Sequence, residues 1–531
     1  MSLTVRVAGE AGQGVLTTGH LLVRSFASLG LHVLATRSYM SRIRRGLNWY
    51  DVRIGEAPLW GPARRVELLV ALTDAAAEVL RDSVADGGLV LHNGAEGDAD
   101  IQIDIETVAK DTGGSELYAN TVAVGAVTAL LGYPLAPLES VLSSEFADKG
   151  EDVVSNNVAC ARKGAELVSR QSGRLPVPQP SREPGRVYDG ATAVALSAAA
   201  SGVRFVTAYP MTPATATFTH LASVADEYGI VVEQAEDELA AVNMVCGAVY
   251  AGAPAMTMTS GGGFALMAEG LSLAGIMELP IVILIAQRPG PATGLPTRTG
   301  QQDLLFALRA GHGEFPRAIF TPGTVRQSWD LTRRALAMAH AYQTPALILT
   351  DQFLQDMEQA IEPLDTDVRP VDRCIAADAG GDYARYAVTD SGVSPRAVPG
   401  GRAFVVCDSD THTADGHITE DLQAHVEQQD KRMRKLRAMT AEALAPERVG
   451  PEGAETLLLT WGSTYGPARE AVEALVESGA SVAMLHFAQV WPLAADAVKK
   501  AIGSPKRVVS VEGNCTGQFA TLLRSEGLLG P

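Results

Sequence analysis

Cysteine is scarce in this chain, and what there is stands apart. The 531 residues contain 5 cysteines, Cys160, Cys246, Cys374, Cys407 and Cys515, and no two are near each other. Without a CxxC or CxxCxxC run there is no local signature of an iron–sulfur cluster or a zinc site. An odd, scattered set suits reduced thiols in a cytoplasmic protein. The 10 histidines show neither HxH nor HExxH spacing. His312 in GHGEF and His417 in DGHITED therefore read as structural hydrogen-bonding residues, and no metal site is expected. Positive charge is also short: 43 Lys and Arg face 61 Asp and Glu, a formal charge of −18. That excludes a general nucleic-acid binder but leaves room for local basic sites that hold anionic ligands. The N-terminus, MSLTVRVAGEAGQGV, lacks the basic start and apolar core of a signal peptide. One run, from Leu239 to Ala268, has no charged residue and is long enough to span a bilayer. It holds Asn243, Pro254 and a triplet at Gly261, Gly262 and Gly263, so it reads as helix, strand and loop. The expectation is a soluble protein with no membrane or nucleic-acid partner.

What is present supports large cores. Hydrophobic residues make up 47%, and the length suits about three or four domains. Strand-like runs alternate with helix-like ones over residues 1–170, predicting a mainly parallel α/β domain. Residues 171–186, QSGRLPVPQPSREPGR, are dense in Pro, Gly, Ser and charge and read as a linker. A second α/β region follows at 187–354, with RFVTAYP, IVVEQ, AMTMTS, PIVILIA, RAIFTP and PALILTD as strands. Residues 355–448 read as a mixed connecting region. Its basic run KRMRKLR, 431–437, is expected on the solvated face of a surface helix. A last α/β unit occupies 449–531. No short-period repeat is evident, which excludes a solenoid.

The most informative segment is VEQAEDEL at 232–239, followed by AAVNMVCGAVYAG. Glu238 stands where an apolar strand gives way to a helix rich in Ala, Gly and Val. Such a helix lets another backbone or a flat cofactor come close. A carboxylate against that wall is poorly solvated. Thiamine diphosphate chemistry uses such an acid, bonded to a ring nitrogen of the aminopyrimidine. The simpler alternative is an N-terminal helix residue favoured by the helix dipole.

Other motifs sit where ligands bind. GEAGQG, with Gly9, Gly12 and Gly14, follows the first strand and loosely matches a phosphate-binding turn, although glycines also serve tight strand–helix turns. One helical unit later, ATRSYMSRIRRG carries Arg37, Arg42, Arg44 and Arg45. These could clamp the phosphates of coenzyme A, or belong to an interface or solvated loop. AYPMTPATATF lies at a strand end, where Thr212 can aim a hydroxyl into the crevice of an α/β sheet. The loop IAQRPGPATGLPTRTGQQDL leaves a buried strand with Arg288, Arg298, Gln301, Gln302 and Asp303. Arg288 could fork-bond a carboxylate. Arg298 could neutralise a second one, or pair with Asp303.

In order along the chain, GEAGQGV, AYPMTPAT, EDELAAVNMVCGA, TSGGGFALMAEGLSLA, QRPGPATGLPTRTGQQDL, GHGEFPRAIFTPG, DGHITED, LTWGSTYG, HFAQVWP and EGNCTGQ resemble the alpha subunit of 2-oxoacid:ferredoxin oxidoreductases with the gamma domain fused at the N-terminus. GPATGLPTRTGQQDLL and DGHITED look most like the 2-oxoglutarate enzymes. The resemblance implies a multidomain α/β chain: a gamma domain, a thiamine-diphosphate pyrimidine-binding domain and a transketolase-C-terminal-like domain. It implies that Glu238 contacts the aminopyrimidine and that Thr212 and Arg288 hold the 2-oxo-carboxylate end of the substrate. The gamma domain would contribute to the coenzyme A region, although RSYMSRIRRG stands where many relatives are richer in glycine. No GDG motif for magnesium and pyrophosphate occurs, so a beta subunit would bring that site and a [4Fe–4S] cluster. The implied reaction converts 2-oxoglutarate and coenzyme A to succinyl-CoA and carbon dioxide with electrons passing to ferredoxin, or the reverse. The implied assembly is a dimer of alpha–beta heterodimers. Another 2-oxoacid, such as pyruvate, and a silent scaffold subunit are the alternatives.

Overall fold

The computed structural model describes residues 1–40, 46–94, 99–376 and 379–530. It divides into two units, Met1–Asp189 with Asp356–Pro363, and Gly190–Gln355 with Leu364–Pro531.

The first unit is built on an eight-stranded sheet. Its order is Ile101–Ile103, Val84–Asn93, Val66–Ala71, Ser2–Glu10, Leu47–Gly55, His32–Ser38, Glu358–Ile361 and Arg186–Asp189. The expected mainly parallel sheet holds only for the first four strands; the other pairings are antiparallel. The reason is connection length. A parallel return needs a crossover of about a dozen residues or more, and only residues 39–46 separate His32–Ser38 from Leu47–Gly55. Strand Ser2–Glu10 is buried along both faces. Leu3, Val5 and Val7 pack under helix Val15–Ser28 through Leu22 and Phe26. On the other face Arg6 forks onto its cross-strand neighbour Asp51, Nε to Oδ1 at 2.6 Å and Nη2 to Oδ2 at 2.7 Å.

Strand Glu358–Ile361, within the stretch read as a connecting region, is hydrogen bonded into this sheet. Tyr50 donates its hydroxyl to Glu358 Oε1 at 2.6 Å, and His20 Nδ1 stands 3.6 Å from Oε2. Burial pushes the Glu358 carboxyl up, but nearby His20 and the Tyr50 bond outweigh it and hold it below its usual value. The neighbouring Glu358 carboxylate raises the pKa of His20 despite partial burial.

The second unit holds two sheets. A seven-stranded one runs Gln489–Trp491, Ala318–Phe320, Ala346–Asp351, Val282–Gln287, Ala255–Thr259, Phe205–Ala208 and Val231–Gln234. All its pairings are parallel except that of the edge strand Gln489–Trp491. The four-stranded sheet runs Glu447–Val449, Val482–Phe487, Thr456–Trp461 and Arg507–Val511. The uncharged run 239–268 forms helix Glu238–Tyr250, strand Ala255–Thr259 and short helix Gly261–Leu266. Among the described residues no helix is long and apolar enough to cross a membrane.

The basic run 431–437 corrects an expectation. It lies in helix Leu422–Ala441, but Lys431 and Lys435 are fully buried rather than solvated. One helical turn apart, they share a face and meet the buried Glu278 at 2.7 Å and 2.5 Å. Burial alone would raise the Glu278 carboxyl; Lys435, Lys431 and Arg385 instead bring it down to about 2.

The His20–Glu358 contact makes the first unit sensitive to pH. Because folding raises the His20 pKa, its contribution is fully present below the unfolded value of about 6.5 and is lost as pH rises through the folded value. The difference in urea midpoint between wild type and His20→Gln should shrink as pH rises from 6 toward 8, values taken on either side of the usual histidine range of about 6.5. A difference that is constant across that range refutes the assignment.

Candidate functional site at the carboxyl ends of the second-unit strands

In a parallel sheet the strand carboxyl ends share one edge, and the turns that follow them form a crevice. Met211 and Thr212 follow strand Phe205–Ala208; Glu238 follows Val231–Gln234; Ser260 and the glycine triplet follow Ala255–Thr259; Arg288 follows Val282–Gln287. Residues far apart in sequence therefore gather at one edge of one sheet.

Glu238 opens helix Glu238–Tyr250. Asp237 caps that helix, accepting from the Ala240 amide at 2.7 Å. Asp237 thus takes the capping work, and Glu238 is left as a buried carboxylate, 2% exposed. Thr259 donates its hydroxyl to Glu238 Oε1 at 3.2 Å. The wall behind this pair is Gly263. A β-carbon there would stand 2.1 Å from Thr259 Oγ1 and 2.2 Å from Glu238 Oε1. The hydroxyls of Thr259 and Ser260 also approach the Met211 sulfur, at 3.9 and 2.6 Å. Met211 leads directly to Thr212, whose carbonyl accepts from Arg288 Nη1 at 2.7 Å. Glu238, Thr212 and Arg288 are thereby linked through Thr259 and Met211. Burial lowers the Arg288 pKa, and the neighbouring Asp303 partly offsets that; the guanidinium stays charged in any case.

The loop between Arg288 and Asp303 divides in role. Gln301 is a staple to the C-terminal sheet region. Its side chain donates to the Trp461 carbonyl at 2.8 Å and accepts from the Gly513 amide at 2.8 Å, and its own amide donates to the Gly513 carbonyl at 2.9 Å. Arg298 is half-buried and donates to the carbonyl of Thr297 at 2.9 Å. The guanidinium acting on Asp303 is Arg288, not Arg298.

The remaining sequence candidates belong to the first unit. Gly12 and Gly14 have φ of 98° and 73°, and a side chain at Gly14 would collide with Asn120. Gln13 folds back to accept from the Glu10 amide at 2.8 Å, so the turn from Gly9 to Gly14 is tight and internally bonded. Arg37 donates to Asp356 at 2.9 Å and lies 3.8 Å from Asp189. Arg42, Arg44 and Arg45 lie outside the described residues. Among the described residues no group of three His, Cys, Asp or Glu could hold a metal ion.

Reading the motifs alone missed Thr259, Met211 and the role of the glycine triplet. The triplet's signal was present: three glycines directly after an apolar strand have no use in a helix unless something must come close.

Comparison with known proteins agrees with this layout. Residues 4–167 match the family model described as pyruvate ferredoxin/flavodoxin oxidoreductase. Residues 197–432 match its thiamine-diphosphate-binding part, and residues 447–524 match the transketolase C-terminal domain. The 2-oxoacid:ferredoxin oxidoreductase subunit alpha of a Sulfolobus species is 30% identical over 99% of this chain and 92% of its own length. The 2-oxoglutarate oxidoreductase subunit KorA of Mycobacterium tuberculosis is 28% identical over 99% of this chain and 88% of its own. A solved structure, 2-oxoglutarate:ferredoxin oxidoreductase from Magnetococcus marinus with 2-oxoglutarate, coenzyme A and succinyl-CoA bound, superposes with a TM-score of 0.91. It is 31% identical and covers 99% of this chain and 94% of that one. Fold, site and matched models define a multidomain α/β oxidoreductase subunit with a thiamine-diphosphate-binding domain. More narrowly, the chain belongs to the alpha subunits of the thiamine-diphosphate-dependent 2-oxoacid:ferredoxin oxidoreductases.

The Gly263 wall can be tested against its neighbour. A β-carbon on Gly262 meets nothing closer than the Ala292 carbonyl oxygen at 3.8 Å. Gly262→Ala should be neutral or stabilise by up to about 1 kcal/mol through helix propensity. Gly263→Ala should destabilise by about 1–3 kcal/mol through overpacking and lower turnover by displacing Glu238. Denaturation midpoints and turnover of the two variants decide; equal behaviour refutes the wall.

Proposed function

We propose that this chain is the pyrimidine-side subunit of an enzyme that interconverts 2-oxoglutarate plus coenzyme A with succinyl-CoA plus carbon dioxide, exchanging electrons with ferredoxin. The observation that carries the reading is Glu238. It is a buried carboxylate whose Oε1 takes a bond from Thr259 and whose Oε2, among the described residues, takes none. Oε2 is not among the enclosed atoms that lack a partner, so it opens on the crevice, where a ligand donor can meet it. The Gly263 notch lets a flat ring lie against it. These features fit the aminopyrimidine of thiamine diphosphate, which when bound supplies the carbanion chemistry that cleaves the bond beside a 2-oxo group.

Each residue then has a task. Glu238 would hold the aminopyrimidine of thiamine diphosphate by accepting a hydrogen bond from its ring. Thr259 fixes the carboxylate so that Oε2 is the oxygen presented. Arg288, tethered through Thr212, holds the 2-oxoacid carboxylate by a charge-assisted bond. Arg298 takes the distal carboxylate that 2-oxoglutarate has and pyruvate lacks, since burying that group without a cation is costly. The bound ligands of the Magnetococcus marinus structure and the name of the mycobacterial relative support 2-oxoglutarate. Magnesium, the pyrophosphate site and a [4Fe–4S] cluster are assigned to a beta subunit, in a cytoplasmic dimer of alpha–beta heterodimers. The first unit, with Gly9, Gly12, Gly14, Arg37 and Arg42, is assigned to the coenzyme A region.

Glu238→Gln keeps the shape but cannot stabilise a protonated ring nitrogen. The variant complex should lose about 100-fold or more in turnover, the scale of a removed acid–base group, at saturating thiamine diphosphate. Wild-type rates would overturn the role. Viologen reduction by the complex with its beta subunit, run with several 2-oxoacids, tests the substrate. Arg298→Met should raise KM for 2-oxoglutarate by roughly 10- to 100-fold, the worth of a charge-assisted bond, with little effect on 2-oxobutyrate. Equal losses on both substrates would remove Arg298 as the distal ligand. The chain purified alone should contain no iron, and stoichiometric iron would contradict the division of cofactors.

A further inference from the structure

The loop that carries Arg288 is closed at its base. Asp303 donates its amide to the Gln287 side chain at 3.0 Å, and Gln287 donates to the Thr350 carbonyl at 3.2 Å. Gln302 accepts from the Gly290 amide at 3.0 Å. Backbone staples therefore fix Asp303 where the Arg288 charge acts on it, without a direct ion pair between them among the described residues. Its carboxyl lies against Gly261, where a β-carbon would stand 2.3–2.4 Å from all three carboxyl atoms. Two residues on, Gly263 makes the same allowance for Glu238. The triplet is cut away for two acids, only one of which has a role so far. Asp303 Oδ2 is buried and, among the described residues, has no hydrogen-bond partner. A carboxylate oxygen in that state costs stability, so packing alone does not account for an acid at this position.

We propose that Asp303 is a positioning residue for 2-oxoacid binding: it sets the net charge that the substrate carboxylate meets at Arg288. The proposal rests on the reading of Arg288 as the carboxylate ligand. When Asp303 is neutral, an incoming carboxylate meets the full charge of Arg288. When Asp303 is ionised, the pocket is near neutral and the second anion opposes the first.

The charged groups around Asp303 are few. Arg288 comes from the end of strand Val282–Gln287 and is the charge acting on Asp303. Glu238 lies across the glycine triplet, from helix Glu238–Tyr250. Asp351, cross-strand partner of Gln287, is occupied by the Ser463 hydroxyl and the Leu354 amide. Burial pushes the Asp303 carboxyl up to about 6, with Arg288 pulling the other way. Its charge therefore changes between roughly pH 5 and 7, a unit either side of that value.

The test is steady-state kinetics of the complete alpha–beta complex with 2-oxoglutarate between about pH 5.5 and 8, a range chosen to span the titration of Asp303. In wild type, KM should rise with pH through the lower part of this range and then level. Asp303→Asn, always neutral, should show a flat KM, about 3- to 10-fold below wild type at pH 7.5, with the change in KM rather than kcat. Asp303→Glu keeps a charge and should keep a pH-dependent KM. A wild-type KM that is flat across the range overturns the proposal without any variant. So does an Asp303→Asn variant that keeps the wild-type pH dependence. Arg288→Met separates the two claims. An unchanged KM in Arg288→Met removes Arg288 as the ligand and the underlying reading with it. A raised KM there, combined with wild-type pH dependence in Asp303→Asn, removes Asp303 alone.

Discussion

A carboxylate taken out of water must be repaid by a partner, and the second unit is arranged around that requirement at Glu238. The parallel sheet brings the turn after Val231–Gln234 beside the end of Ala255–Thr259, so Thr259 reaches Glu238 Oε1. Asp237 caps the helix, which frees Glu238 from doing so. Gly263 removes the one side chain that would fill the space beside both groups. Each feature is explicable as support for a single acid that is buried yet left with an open acceptor.

The same unit shows the other solution to the same cost. Glu278 is as deeply buried as Glu238, but Lys431 and Lys435 meet it at 2.7 and 2.5 Å. Burial lowers the Lys431 pKa to about 8, with Glu278 opposing the fall. This cluster is closed on itself and ties helix Leu422–Ala441 to the end of helix Ala268–Ile276. A buried pair of this kind is weak evidence of net stability, though breaking it by removing one partner is costly. The contrast separates a structural acid from one left open: Glu278 is saturated by cations, and Glu238 has a single hydroxyl donor.

Much of the site was legible in the residues themselves. An acid between an apolar strand and a small-residue helix, a Pro-fixed turn at a strand end and an arginine directly after a buried strand all mark the carboxyl edge of a parallel sheet. Glu238, Thr212 and Arg288 were singled out on those grounds, and the structure brings all three to that edge. Thr259 was not found, because an alternating strand end such as AMTMTS gives no sign of which threonine faces the crevice. The buried face of the 431–437 run was hidden for a related reason: a helix of alternating cations has two faces, and only the position of Glu278 decides which is inside. Strand Glu358–Ile361 joins the first unit's sheet through pairing with residues more than 150 positions earlier, and no local pattern encodes that.

Composition and local pattern by themselves determined the α/β class, the parallel crevice and the chemical types gathered around it, because those follow from periodicity and from what strand ends do. Tertiary structure alone decided which polar groups are left open. Pairing with Asp303 was the alternative offered for Arg298, but the charge acting on Asp303 is Arg288, and the staple through Gln287 sets the Asp303 carboxyl against Gly261. The sequence left Arg37 open between a phosphate clamp, an interface and a solvated loop; the fold shows its bond to Asp356, distant in sequence. Whether a charge is left open or paired depends on distances of a few ångströms between segments from tens to hundreds of residues apart, and those distances exist only in the folded chain.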